Sequence, residues 1–285
     1  MKSFKSRLFA FLIFGILLGI LILHFATVIT LAPVRTTTSL NPIKGMKDVE
    51  IDSGGLKIRG WLFEAPNEKA VVLLLHGIRA NRLSMLNRAK FLHSKGYSSL
   101  LLDFQAHGES EGDLITLGLK ESENVRAAIR YLKNTKRKLP IGVIGSSLGG
   151  ASALMADISS KIRFLILEAV FPDIESAIRN RLNYRLFKPL GLFTPLVYEV
   201  LRYELKIPDS GIRPIDLIAR VTCPVFVISG AVDLYTPESE ALDLFRNAPD
   251  RKDLWIVEGA EHVDLYRHAP REYEKRIFDF IETYR

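Results

Sequence analysis

The decapeptide Ile141-Gly142-Val143-Ile144-Gly145-Ser146-Ser147-Leu148-Gly149-Gly150 constrains this chain more than any other stretch. A short apolar run enters Gly145-Ser146-Ser147-Leu148-Gly149, which fits the pattern G-x-S-x-G, and an alanine-containing helical segment follows. The spacing predicts a strand that breaks sharply into a helix. Backbone at the centre of such a turn is strained, and side chains two positions to either side would collide with neighbouring strands, so glycine stands there. The turn would lift Ser147 Oγ off the sheet. It would also aim the N–H of Leu148 at charge developing on a carbonyl oxygen, with the helix N-terminus adding favourable electrostatics. Ser147 is therefore the candidate nucleophile; the bland reading of the same residues is a glycine-rich turn capped by serine.

The rest of the chain supplies the expected context. Residues 47–65 read as a hairpin, with strands near Val49–Ile51 and Leu56–Phe63 separated at Ser53-Gly54-Gly55. Ala70–Leu75 is a continuous apolar run, too short for a helix and without alternation, the pattern of a strand buried on both faces. A helical stretch over 84–95 leads to a strand at Ser98–Asp103, and an amphipathic helix is expected over 117–137. After the strand 141–146 and the helix from Ser147 come strands at Phe164–Ala169, Pro224–Gly230 and Leu254–Glu258, with helices at Pro237–Arg246 and Pro270–Tyr284. This alternation predicts an α/β fold: a mostly parallel central sheet, helices on both faces, and reactive loops at the strands' carboxyl ends. Residues 171–222 break the rhythm. This insert mixes Arg179, Arg181, Arg185, Lys188, Arg202 and Lys206 with Phe187, Leu192, Phe193, Leu196 and other apolar residues. So long a connection predicts a helical lid over the site, the alternative being an excursion that only packs on the core.

Serine is a weak nucleophile near neutral pH and needs a base, which in turn needs an orienting acid. Asp233 follows the strand ending at Gly230, and His262 follows the strand ending at Glu258, so both fall past carboxyl ends and in the order serine, acid, histidine. Asp233 could instead cap the helix at Pro237, and His262 could be an ordinary surface histidine. Asp264 and Glu238 are rival acids, while His93 and His268 lack a strand-end context. His76-Gly77 precedes Ile78, whose N–H would join that of Leu148 as the second donor of an oxyanion hole; His76 itself reads as a structural hydrogen-bonder.

These motifs in sequence order are His76-Gly77, Asp103…Gly108-Glu109-Ser110, Gly145-Ser146-Ser147-Leu148-Gly149, Asp233…Pro237 and Gly259…His262. Together they resemble the α/β-hydrolase family over roughly residues 47–285, and among its subgroups the bacterial, membrane-anchored Bem46-like and serine-aminopeptidase-like hydrolases. The resemblance implies catalytic Ser147, Asp233 and His262 with an oxyanion hole from Ile78 and Leu148. Two departures concern the pocket's polarity and remove no catalytic atom. Gln105-Ala106 stands where many relatives carry arginine, and Glu261 stands where glycine often precedes the histidine.

The remaining 46 or so residues are of another kind. From Leu8 to Ala32 there are 25 residues without formal charge, preceded by Lys2, Lys5 and Arg7. That exceeds the ~20 residues needed to cross a bilayer, and the run is apolar around its whole circumference. The expected organisation is a cytoplasmic basic tail (1–7), a transmembrane signal anchor (8–32), a Thr-rich linker (33–46) and a hydrolase domain (47–285) facing outward, with cleavage and secretion as the alternative. Of the net charge of +7, the first 45 residues carry +5, leaving 34 basic and 32 acidic side chains in the rest. The basic balance thus belongs partly to the membrane end, and no basic run interleaved with aromatics points to nucleic acid. Cys223 is the only cysteine, so no intrachain disulfide forms, and the six scattered histidines show no zinc spacing.

The expectation is a serine hydrolase without cofactor or metal. It would cleave an ester or thioester of a small or lipid-like acyl substrate through an acyl-enzyme. A serine peptidase acting on the amino end of short peptides is the alternative within enzymes; it would need an acidic subsite, for which Glu109, Glu111 or Glu261 could serve. A non-catalytic binding protein that kept the fold is the alternative from another class. Haloalkane dehalogenation is disfavoured, because it needs a carboxylate where Ser147 sits.

Overall fold

A computed structural model describes Gly19, His24 and residues 27–37, 45–185, 188–262 and 264–285. Nine strands labelled here in chain order position the site: β1 (Val34–Arg35), β2 (Met46–Ser53), β3 (Leu56–Phe63), β4 (Val71–Leu75), β5 (Ser98–Leu102), β6 (His107–Gly108), β7 (Ile141–Ser146), β8 (Phe164–Glu168) and β9 (Val225–Gly230); β10 (Lys252–Val257) closes the edge. Eight of the ten form one sheet in the order β10-β9-β8-β7-β4-β5-β3-β2. The β2–β3 and β3–β5 pairs are antiparallel, and every other neighbour pair in it is parallel.

The unalternating strands are buried on both faces, as their composition requires. Along β4, Val71, Leu73 and Leu75 join one core layer with Val125, Ile129 and Leu132 of the helix Glu121–Thr135. Val72 and Leu74 point the other way, into a layer with Leu92 of the helix Leu86–Ser94 and Ile277 and Phe280 of the helix Pro270–Tyr284. Period-2 geometry turns one apolar run into two cores. The predicted helix over 117–137 starts later, at Glu121. Leu117 and Gly118 adopt left-handed φ, and the buried Glu121 carboxylate accepts the N–H groups of Thr116 (2.7 Å) and Gly118 (2.8 Å), which fixes the turn before the helix.

The insert forms the helices Ile174–Arg185, Thr194–Leu205 and Pro214–Ile218 with a 3₁₀ segment Lys188–Phe193. Ile174, Ile178, Leu201 and Ile212 are buried in the core, whereas Leu192 and Phe193 stand exposed. Phe187 and the side chain of Arg185 lie outside the described residues.

Most of the apolar run Leu8–Ala32 also lies outside the described residues, and among those described no helix is long and apolar enough to cross a membrane. Its end is docked on the domain. Leu31 is buried and its carbonyl accepts the N–H of Ile115 at 2.9 Å, while His24 Nδ1 meets Glu204 at 3.0 Å. The expected linker begins differently from its polar composition: Val34–Arg35 pairs in parallel with His107–Gly108, and the Arg35 guanidinium donates to the carbonyls of Ser110 and Gly112. The loop after β5 offers free backbone groups in register, which a Thr-rich sequence can meet through main chain alone. Residues 38–44 of that segment fall outside the described residues.

Candidate active site

Ser147 sits between β7 and the helix Leu148–Met155 with φ 49° and ψ −110°, a left-handed conformation strained for any residue with a Cβ. Its N–H donates to the Glu168 carbonyl of the adjacent strand at 2.7 Å, which holds the turn against the sheet. The flanking glycines are there for space. A Cβ on Gly149 would come within 2.4 Å of the Leu75 carbonyl on β4; one on Gly145 would meet the backbone N of Gly150 at 2.5 Å, in the helix rather than a neighbouring strand. The hydroxyl is thereby presented where the helix N-terminus points its unpaired N–H groups.

Asp233 and His262 are brought together by β9 and β10. His262 Nδ1 lies 2.7 Å from Asp233 Oδ2. The other carboxylate oxygen accepts the N–H groups of Tyr235 (2.8 Å) and Thr236 (2.9 Å), and the Thr236 hydroxyl donates to Oδ2 at 2.5 Å. Burial alone would raise the Asp233 carboxyl, but the His262 ring, the Thr236 hydroxyl and the turn's N–H together hold it below its ordinary value. It is thus an anion that can fix the ring's tautomer.

The loop after β4 brings Ile78 to the other side of Ser147. A Cβ added to Gly77 would lie 3.7 Å from that of Ser147, so the loop backbone runs close beside the nucleophile. His76 accepts the Phe104 N–H on Nε2 (3.1 Å) and donates from Nδ1 to the Gly77 carbonyl (2.7 Å); burial pushes it down to about 4, so it stays neutral. His107 behaves alike: its Nε2 accepts the Arg79 N–H at 3.1 Å, its Nδ1 faces the Gln105 carbonyl at 2.9 Å, and burial lowers it to about 4. Two neutral rings therefore brace the loop that carries Ile78.

Two cavities meet at Ser147. The larger, about 520 Å³, is lined by Ser147, His262, Tyr235 and Asp264 together with Arg79, Arg88 and Arg181. The smaller, about 100 Å³, is walled by Leu148, Phe171, Ile174, Ile178 and Leu201, and Thr30 from the N-terminal segment closes it. The insert thus walls much of the smaller cavity and contributes Arg181 to both, as well as packing on the core. Of the rival residues, Asp264 reaches the larger cavity but is held 2.8 Å from Arg88. Glu238 opens the helix Glu238–Asn247, His93 stacks on Phe63, and His268 contacts the Glu258 carbonyl, all outside both cavities. Among the described residues no cluster of three metal-ligating side chains occurs.

The sequence and fold are similar to those of other proteins. Residues 66–198 match the family described as serine aminopeptidase, S33. The protein YqkD of Bacillus subtilis is 27% identical over 238 residues, 80% of this chain and 76% of that one. A carboxylesterase of Bacillus subtilis is 23% identical over 233 residues, 74% and 92% of the two chains. The esterase Pf2001 of Pyrococcus furiosus superposes with a TM-score of 0.74 at 25% identity, over 90% of this chain and 98% of that one. The chain has the α/β-hydrolase fold. It is an esterase-like serine hydrolase.

As an α/β-hydrolase it carries supporting residues that sequence reasoning passed over. Thr236, which bonds Asp233, was signalled only by the three-residue spacing of an Asx-type turn. Below Ser147, Arg88 binds Glu168 through Nε (3.0 Å) and Nη2 (2.6 Å), and Tyr273 joins both from the last helix. No local pattern links residues so distant in sequence. The Asp103…Gly108-Glu109-Ser110 motif also gains a reason. The Asp103 carboxylate accepts from the Arg82 backbone (2.6 Å) and guanidinium (2.7 Å) and from the Glu109 N–H (3.1 Å). A Cβ on Gly108 would lie 2.2 Å from that carboxylate, so only glycine fits.

Proposed function

We propose that this α/β-hydrolase cleaves an ester or thioester through Ser147, His262 and Asp233. The carrying observation is the 2.7 Å contact between Asp233 and His262, whose ring lines the same cavity as the strained Ser147. Ser147 Oγ attacks the carbonyl carbon while His262 Nε2 takes its proton, and the N–H groups of Ile78 and Leu148 hold the oxyanion. The carbonyl–leaving-group bond breaks as His262 returns that proton to the departing alcohol or thiol. Water then gives a proton to His262, attacks the acyl-enzyme and releases the acid, and the proton returns to Ser147. No cofactor enters.

The ester reading is favoured over a peptidase by where the carboxylates lie. An aminopeptidase needs an acidic group for the substrate's α-amine. Glu109 pairs with Arg82, Glu111 accepts the Lys57 N–H at 2.8 Å, and Glu261 lines neither cavity; Asp264 does line one but faces Arg88. The small apolar pocket supports a short acyl chain, and an apolar wall is what a lipid-like acyl group would also require. The uncharged run Leu8–Ala32 supports a signal anchor with the domain outside the cytoplasmic membrane. Carbonate extraction and protease protection of the expressed chain test that arm: a carbonate-soluble chain would remove it.

For the chemistry, the full chain in detergent is treated with a fluorophosphonate probe beside Ser147→Ala and His262→Ala variants. Labelling of the parent alone is expected. A folded parent that stays unlabelled would sink the serine-hydrolase mechanism and favour a binding protein that kept the fold.

A further inference from the structure

The two cavities at Ser147 differ in chemistry, and His262 decides which end of a substrate enters each. The leaving group must lie within reach of His262 to receive its proton. His262 lines the larger cavity and not the smaller, so the alcohol or thiol portion belongs in the larger one and the acyl chain in the apolar pocket.

The larger cavity is cationic. It is lined by three guanidiniums and one carboxylate among the described residues, and that carboxylate, Asp264, is bound to Arg88. Arg88 itself is buried and locked to Glu168 at the cavity floor. Arg79 and Arg181 line the same cavity, and Arg181, which donates to the Ala177 carbonyl at 2.9 Å, stands where it lines the smaller pocket as well. Arg79 holds a left-handed φ of 59°, which an arginine adopts only at a cost. The His107 ring takes its N–H, so its exposed side chain is delivered to the cavity mouth immediately after the oxyanion donor Ile78, where its guanidinium donates to the Ile29 carbonyl at 3.4 Å. Arg181 comes from the insert and lies 5.3 Å over the Tyr235 ring, which in turn sits 5.3 Å from the His262 ring. Planar guanidiniums lining a leaving-group site match a carboxylate or phosphate, which a guanidinium binds through paired N–H groups.

We propose that the preferred substrate is an ester or thioester of a short apolar acid whose leaving group carries a carboxylate or phosphate, selected by Arg79 and Arg181. This rests on the serine-hydrolase reading above. The test uses the full chain in detergent and three butyryl esters: 2-hydroxyethyl butyrate, 3-(butyryloxy)propanoate and 2-(butyryloxy)ethyl phosphate. Each rate is divided by its rate with hydroxide, to remove differences in intrinsic reactivity. One or both anionic esters are expected to exceed the neutral one in kcat/KM by roughly tenfold or more, mainly through KM, and which of the two leads identifies the anion. In Arg79→Gln and Arg181→Gln that ratio should fall several-fold, and in the double variant approach one. Raising salt from about 0.02 to about 0.5 M should also compress it. Ser147-dependent hydrolysis of the neutral ester with no anionic preference, or a preference the double variant keeps, would overturn the proposal while sparing the hydrolase reading. Failure of all three esters together with absence of fluorophosphonate labelling would remove both.

Discussion

Three histidines stand around the loops that meet at Ser147, and their surroundings set them for opposite work. His76 and His107 are fully buried, and each has both ring nitrogens engaged by backbone groups. A ring so placed has no nitrogen left to accept a proton, and burial keeps it neutral to about pH 4. His262 commits Nδ1 to Asp233, and no hydrogen bond among the described residues engages its Nε2, which is left to the cavity. A histidine's role is thus read from how many ring nitrogens the fold has already used. Proximity to a nucleophile is a weaker guide.

The largest effect expected from this contrast is on rate. His262→Ala should lower kcat by about 10⁴ or more, as removal of a triad base does, while thermal unfolding shifts little because the side chain is partly exposed. His107→Gln should do the reverse, unfolding earlier by about 1–3 kcal/mol, since it leaves the Arg79 N–H and the Gln105 carbonyl to find new partners. Equal losses of rate from the two variants, measured on one neutral ester beside denaturant melts, would break the distinction.

The second expectation concerns acid. In the unfolded chain both braces titrate near 6.5, whereas folded they remain neutral down to about 4. A group with a depressed folded pKa contributes stability that is present above its unfolded value and lost as pH falls. Each ring should therefore cost about 3 kcal/mol between pH 6.5 and 4. Asp233, also held low, adds loss below its ordinary carboxylate range, while burial raises Asp103 and Glu121 and so works in the opposite sense. Urea melts over this pH range separate the contributions, because His107→Gln keeps all three carboxyls. The variant should lose stability less steeply than the parent, and parallel curves would deny His107 its buried neutral state.

The contrast also marks what was legible in sequence. Ser147, Asp233 and His262 could be placed because each follows a strand end, and strand ends show as the close of an apolar run. The sheet was legible for the same reason: Val71–Leu75 and Val225–Gly230 are apolar throughout and buried on both faces. The order of the motifs, together with the family resemblance they carry, pointed to the hydrolase fold. What stayed hidden depends on contacts across the chain. Arg88 meets Glu168 and Tyr273 over 80 and 185 residues, and nothing local to any of them records the partnership. Val34–Arg35 lay hidden in a polar stretch because its pairing uses only backbone. His107 could be seen as part of a glycine-punctuated loop, but its partner, the Arg79 N–H, could not.

The smallest effect sharpens the boundary between a group that sets the reaction and one that only braces it. Thr236 is buried, its hydroxyl donates to Asp233 Oδ2 at 2.5 Å, and it lies 3.3 Å from His262 Nδ1. It therefore touches the very oxygen that meets the His262 ring. Valine keeps nearly the same shape and removes the donor, leaving Oδ2 with His262 alone while Oδ1 retains its two backbone N–H groups. One net hydrogen bond is worth about 1 kcal/mol, so Thr236→Val should reduce kcat roughly fivefold and stability by a similar energy. Thr236→Ser, which restores the hydroxyl, should recover kcat more fully than it recovers the melting point, because it still lacks the methyl group. If valine lowers the melting point and leaves kcat at the parent value, Thr236 belongs with His76 and His107 as scaffold. If kcat falls and serine rescues it, the machinery extends one residue beyond Ser147, His262 and Asp233, to the hydroxyl that keeps the carboxylate turned toward the ring.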